Sequence, residues 1–211
     1  VTPRDRWPSL AAGIYGIIDT AFTSDPAGFA RALVAGGIRV LQLRAKEGVD
    51  RERLRELVDC AHAADALVIV NDDVAAAELA DGVHLGQEDA AVLDLAAVRS
   101  RLSEKVLGLS CGTAEEAVSA QRVGADYVGV GPMFATASKT DAGPPIGAEG
   151  VARVVRACTI PVVAIGGIDQ GRLAEVRKSG AAMAAMISAL TRGNDVAATA
   201  AALVRAWTAL C

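Results

Sequence analysis

Eight short apolar runs, each followed by a longer segment of helical period, make an eight-fold α/β barrel, (β/α)8, the architecture expected of these 211 residues. Strands that alternate with helices pair in parallel, because every crossover carries the chain back to the same end of the sheet. About 26 residues fall to each strand–helix unit, which suits a compact barrel. No linker or break in composition divides residues 1–211, so one domain is expected. An open doubly wound sheet is the rival. Its dinucleotide-binding form needs a glycine-rich phosphate turn after the first strand, where this chain reads Asp19, Thr20, Ala21 and Phe22.

The first strand is expected at Ile14–Ile18. The apolar stretch from Leu10 is interrupted by Gly13 and Gly16 and ends at Asp19, which suits a strand better than a signal peptide. An amphipathic segment, Pro26–Ala35, leads to a second strand at Val40–Leu43, and Arg51–Ala64 leads to a third at Leu67–Val70. The fourth and fifth strands are expected at Gly82–Leu85 and Val106–Leu109, and Thr113–Val123 connects to the sixth at Tyr127–Val130. Gly147–Ala157 precedes the seventh at Val162–Ile165, and Gly171–Lys178 precedes the eighth at Met183–Ile187. The alanine-rich stretch Asp195–Leu210 reads as a closing helix. Gly36-Gly37, Gly124 and Gly180 stand where helices end and turn into strands.

Composition narrows the function. With 52% apolar and 22% charged residues the chain can bury a sizeable core and lies far from disordered compositions. No uncharged run approaches the 18 or so residues of a membrane span. A net charge of −4, with no basic run, excludes nucleic acid as the main partner. The four cysteines, Cys60, Cys111, Cys158 and Cys211, show no C-x-x-C spacing, and His62 and His84 form no ligand cluster with them. Free thiols of an intracellular protein are therefore expected, rather than a disulfide framework or a zinc site.

In a barrel the chemistry sits after the strands, and there the chain is polar. Gln42, Arg44 and Lys46 follow the second run, Asn71, Asp72 and Asp73 the third, His84, Gln87, Glu88 and Asp89 the fourth, and Ser110 the fifth. The sixth is followed by a long segment with Thr136, Ser138, Lys139 and Asp141. Asp72 alone could cap a following helix. Paired with Asp89 across neighbouring loops, it suggests Mg²⁺, which takes one or two carboxylates and completes its shell from water and phosphate. Arg44, Lys46 and Lys139 are matching cations for a diphosphate. Gly166-Gly167 and Ile187-Ser188 lie where barrels commonly hold a phosphate. His84 is expected to pack beneath the mouth, Met133 and Phe134 to shape the sixth loop, and Cys111 to have no catalytic part.

The stretches Gln42–Lys46, Val70–Asp72, Asp81–Asp89, Gly124–Pro132, Phe134–Lys139, Pro161–Ile168 and Met186–Ser188 together resemble the thiamine-phosphate synthases, in that family's order and over nearly the whole chain. The resemblance implies a cytoplasmic barrel enzyme that condenses 4-amino-2-methyl-5-(diphosphooxymethyl)pyrimidine with a thiazole phosphate, giving thiamine phosphate and diphosphate. It implies that Gln42, Leu43, Arg44, Ala45, Lys46, Asn71, Ser110 and Lys139 contact the pyrimidine diphosphate. Thr136, Ala137, Ser138, Gly167, Ile187 and Ser188 would hold the thiazole phosphate, and Asp72 and Asp89 would hold Mg²⁺. Arg44, Lys46, Ser110 and Lys139 would be the catalytic set. Small molecules are the implied partners, with no nucleic acid and no membrane, and a homo-oligomer is left open. Against the family pattern, the stretch between Asp72 and Asp89 is about two residues short and Ser110-Cys111-Gly112-Thr113 lacks a usual histidine. A thiazole tautomerase-like isomerase and a non-catalytic ligand-binding barrel are the alternatives.

Overall fold

The computed structural model describes residues 1–136, 138 and 143–210. Its eight strands are β1 (Gly13–Asp19), β2 (Val40–Arg44), β3 (Leu67–Asn71), β4 (Gly82–Leu85), β5 (Val106–Cys111), β6 (Tyr127–Val130), β7 (Val162–Ile165) and β8 (Met183–Met186). They pair in chain order, all parallel, and β1 returns to β8 to close the barrel. In register, Asp19 lies opposite Arg44 at the end of the β1–β2 pair, and Asn71 lies opposite His84 at the end of β3–β4.

Alternation along the strands sorts the core into two layers. Ile14, Ile18, Leu41, Leu43, Val68 and Val70 face outward to the helices. Tyr15, Ile17, Val40, Leu67, Ile69 and Tyr127 fill the barrel itself. The helices around it are α2 (Pro26–Ala35), α3 (Arg51–His62), α4 (Gln87–Val92), α5 (Leu95–Arg101), α6 (Ala114–Arg122), α7 (Gly147–Ala157), α8 (Leu173–Lys178), α9 (Ser188–Thr191) and α10 (Val196–Thr208), preceded by α1 (Pro3–Leu10). Side-chain caps start several of them: Asp25 accepts from Gly28 N at 2.8 Å, Thr113 from Glu116 N at 3.2 Å, and Asp195 from Ala198 N at 2.9 Å. No described helix is long and apolar enough to cross a membrane.

Three elements differ from the expectation. Residues before the first strand form α1, started by a capping box in which Thr2 Oγ1 accepts from Asp5 N (3.2 Å) and Asp5 Oδ2 accepts from Thr2 N (3.0 Å). The helix closes the floor of the barrel. Its Trp7 is buried, stacks on Tyr127 at 4.7 Å between ring centroids, and donates Nε1–H to Asp126 O at 3.1 Å. The third crossover carries no α-helix, only a 3₁₀ turn at Ala76–Leu79. The connection from β4 to β5 is two short helices, α4 and α5.

Candidate active site

A cavity of about 250 Å³ opens at the C-terminal ends of the strands, lined in part by Gln42, Arg44, Asn71, Asp72, Ser110 and Gly167. Of the expected cations, Arg44 enters it, fixed by an ion pair between Nη1 and Asp19 Oδ2. Asp19 is buried and its other oxygen accepts from Ala21 N at 2.9 Å, so the carboxylate is held at both ends. Lys46 is exposed on the loop after β2, beside a shallower depression that it shares with Ala45, Asn71, Asp72 and Asp89. Leu43 packs in the layer between barrel and helices, with its side chain away from the cavity. Lys139, Ala137, Asp141 and Cys211 lie outside the described residues.

Asp72 caps no helix; at the start of the 3₁₀ turn it is Asp73 whose Oδ1 accepts from Ala76 N, at 2.8 Å. Asp72 instead reaches over β4, where its Oδ1 accepts from Gly86 N at 2.8 Å, while Asn71 Nδ2 donates to its Oδ2. Its backbone is left-handed, φ 62°, a conformation that Asp tolerates better than most residues. Asp89, in the first turn of α4, approaches it despite the shortened connection: both carboxylates come within 3.3–3.6 Å of the Cβ position above Gly86. Burial, and then the charge of Asp89, push the Asp72 carboxyl above its ordinary range, against the lowering hydrogen bond from Gly86 N. Two carboxylates forced together in this way suit a divalent cation between them. Among the described residues no third His, Cys, Asp or Glu joins them, so water and ligand oxygens would complete the shell.

On the opposite wall Gly166 (φ 99°) and Gly167 (φ 64°) turn sharply against the loop after β6. A Cβ on Gly167 would lie 2.4 Å from Ala135 O, so only glycine brings this backbone to the cavity. Ile187, Ser188, Thr136 and Ser138 line the same side. Ser138 N donates to Thr136 Oγ1 at 3.2 Å, and Arg172 donates to Gly167 O while its guanidinium lies 4.7 Å over the Phe134 ring. The wall therefore brings a glycine turn and small hydroxyls to the cavity, an arrangement that suits an anionic group.

Beneath the mouth, His84 is buried, its Nδ1 3.0 Å from Tyr127 Oη and its Nε2 2.9 Å from Ser110 Oγ. Cys111 beside it is buried and donates weakly to Leu109 O. Burial foremost, then the nearby Glu116 charge, pushes its thiol up to about 12, so it stays protonated and is no nucleophile at neutral pH. Sequence reasoning assigned no part to Asp19, Tyr15 and Tyr127. The one available signal for Asp19 was a carboxylate at the end of the first apolar run, where a barrel places its site.

A family model described as thiamine monophosphate synthase matches residues 14–190. A thiamine-phosphate synthase of Chloroflexus aurantiacus is 44% identical over 174 residues, 80% of this chain and 79% of that protein. One of Moorella thermoacetica is 47% identical over 176 residues, 81% and 82% of the two chains. Among solved structures, a thiamine phosphate pyrophosphorylase from Pyrococcus furiosus superposes with a TM-score of 0.85 at 32% identity, covering 95% of this chain and 98% of its own.

Proposed function

Since the chain belongs to the thiamine monophosphate synthase family, we propose that its barrel mouth condenses 4-amino-2-methyl-5-(diphosphooxymethyl)pyrimidine with a thiazole phosphate, releasing diphosphate and thiamine phosphate. One observation carries the reading. A single cavity has Asp72 and a pinned Arg44 on one side, with Asp89 approaching Asp72 from the neighbouring depression, and the Gly166-Gly167 turn with Ile187-Ser188 on the other, which would give each substrate its own anion site.

Asp72 and Asp89 would hold Mg²⁺, which when bound neutralises charge developing on the diphosphate. Arg44, oriented by Asp19, offers bidentate donors to the same group, and Lys46 and Lys139 add point charges. Gln42, Asn71 and Ser110 would orient the pyrimidine, with the Leu43-Ala45 main chain beside it. Thr136, Ala137, Ser138, Gly167, Ile187 and Ser188 would hold the thiazole phosphate. The aminopyrimidine is electron-rich enough to carry positive charge at its methylene carbon as the C–O bond to diphosphate breaks. The thiazole nitrogen then attacks with a lone pair it already has, so the protein need supply neither a nucleophile nor a base. Catalysis on this account is placement and stabilisation of departing charge. The family match favours this over both an isomerase and a non-catalytic barrel that keeps the pocket, and the paired carboxylates favour it over the isomerase, which needs no diphosphate clamp. Both substrates are soluble anions, which supports a cytoplasmic enzyme; α1 and α10 packing on one barrel supports a single domain over residues 1–211.

The test is incubation with both substrates and Mg²⁺, following diphosphate release and thiamine phosphate by chromatography. Both products should appear together, and either omission of the thiazole phosphate or addition of EDTA should stop them. Release of diphosphate without the thiazole, or no release at all, would contradict the assignment.

A further inference from the structure

Five polar side chains form one hydrogen-bonded chain through the barrel interior, and the reaction proposed above uses only its two ends. Gln42 Nε2 donates to Tyr15 Oη at 2.9 Å, and the Tyr15 and Tyr127 hydroxyls are 2.8 Å apart. Tyr127 Oη lies 3.0 Å from His84 Nδ1, and His84 Nε2 lies 2.9 Å from Ser110 Oγ. Room for it is left in the neighbouring strands. A Cβ on Gly108 would sit 2.1 Å from Tyr127 Cζ, and one on Gly129 would sit 2.9 Å from His84 Cε1. Burial raises both tyrosines above their ordinary range, so each keeps its proton.

Counting protons gives the chain a direction. Tyr15 accepts from Gln42, and its own proton has one remaining partner among the described residues, the Tyr127 oxygen. The Tyr127 proton must then go to His84 Nδ1, which is an acceptor only if the imidazole is neutral with its proton on Nε2. That Nε2–H donates to Ser110 Oγ. Left for a ligand are the Gln42 amide oxygen at one end and the Ser110 hydroxyl hydrogen at the other, and both residues line the cavity. Reversing the direction would require the Gln42 amide to turn over. Otherwise the proton of a fully buried tyrosine has no acceptor, a loss of about 1–3 kcal/mol.

We propose that Tyr15, Tyr127 and His84 are positioning residues that fix Gln42 as an acceptor and Ser110 as a donor, so that the cavity selects a 4-aminopyrimidine over its 4-oxo counterpart. The inference rests on the pyrimidine reading above. A 4-aminopyrimidine supplies an exocyclic N–H donor and ring-nitrogen acceptors. The oxo compound presents a carbonyl and a ring N–H, the opposite pattern, and sets two oxygens against each other at Gln42. Sites built on such hydrogen bonds discriminate by about 10⁴-fold or more, whereas apolar pockets manage about 10²-fold.

The experiment compares kcat/KM for the amino and 4-oxo pyrimidine diphosphates in the wild type, Tyr127→Phe and Tyr15→Phe. Tyr127→Phe keeps the ring stacked on Trp7 and removes only the bridging hydroxyl. The amino preference should fall by about ten-fold or more in either variant, through KM for the amino substrate more than through kcat. Nitrogen NMR of the ring, with His62 removed as His62→Gln, should show His84 as the neutral Nε2–H tautomer in the wild type and as a tautomer mixture in Tyr127→Phe. An unchanged preference in both folded variants overturns the proposal, as does an Nδ1–H tautomer or an imidazolium in the wild type at pH 7. If Tyr127→Phe does not fold, Tyr15→Phe and the wild-type spectrum decide. A wild type inactive on either pyrimidine overturns the reaction and the ring selectivity together, and the tautomer still reports the direction of the chain.

Discussion

Replacing Asp19 by Asn should weaken both the fold and the binding of the diphosphate substrate. The side chains of Asp19 and Arg44 are 2% and 15% exposed, so the pair sits almost entirely out of water. Asn can still accept from Ala21 N, but its amide group then points a donor at the guanidinium. Breaking a buried ion pair by removing one partner costs about 3–5 kcal/mol. Arg44 retains an outlet to the cavity, which places the loss near the low end, about 3 kcal/mol. At this chain length each kcal/mol moves Tm by roughly 2–4 °C, so a fall of about 6–12 °C is expected. Arg44 also loses its fixed bearing on the cavity, and KM for the pyrimidine diphosphate should rise about ten-fold, equivalent to about 1.4 kcal/mol. Thermal unfolding and steady-state diphosphate release measure the two effects, and a double-mutant cycle with Arg44→Met isolates the pair from the rest of the site. Asp19→Asn with wild-type Tm and wild-type KM would refute the pinning of Arg44.

Three further outcomes follow from the same geometry. The raised carboxyl of Asp72 favours the protonated folded state: its contribution is full below the ordinary value of 3.8 and is lost as pH rises through the higher folded value. Asp72→Asn should therefore raise Tm at neutral pH in metal-free buffer while abolishing turnover; a lower Tm there would contradict the crowding of the two carboxylates. Cys111, buried and protonated, should resist iodoacetamide at pH 8 while Cys60, partly exposed, is alkylated, as read by peptide mass mapping; equal labelling would refute its burial. Gly108→Ala should lose about 1–3 kcal/mol in urea unfolding because the new methyl overlaps the Tyr127 ring, and an unchanged midpoint would contradict that contact.

Local periodicity made the strands legible. Gly82–Leu85, Tyr127–Val130 and Val162–Ile165 end where their apolar runs end, and α2 and α7 begin and stop at the residues their amphipathic pattern marks. Helix α1 was not legible that way, because it buries only Trp7 and is started by a cap rather than by a hydrophobic face. The candidate site divided along the same line. Residues that follow strands could be read one loop at a time. The Asp19–Arg44 pair joins residues 25 apart and the tyrosine pair joins residues 112 apart, and both depend on register around the closed barrel. Nor does any local pattern distinguish Asp72 from Asp73: the left-handed backbone at Asp72 sends one carboxylate to the mouth and leaves the other to cap the turn.

The floor helix has a consequence for synthesis. Trp7 leaves the ribosome 119 residues ahead of Asp126, the carbonyl it bonds, and ahead of the ring on which it stacks. At roughly 5–20 residues per second that is an interval of roughly 6–24 s in which the indole has no seat. Strand β1 likewise waits for β8. Residues made ahead of the strands are thus among the last to be locked, and the nascent barrel passes through an open sheet with an exposed tryptophan, the stage at which a chaperone would find it.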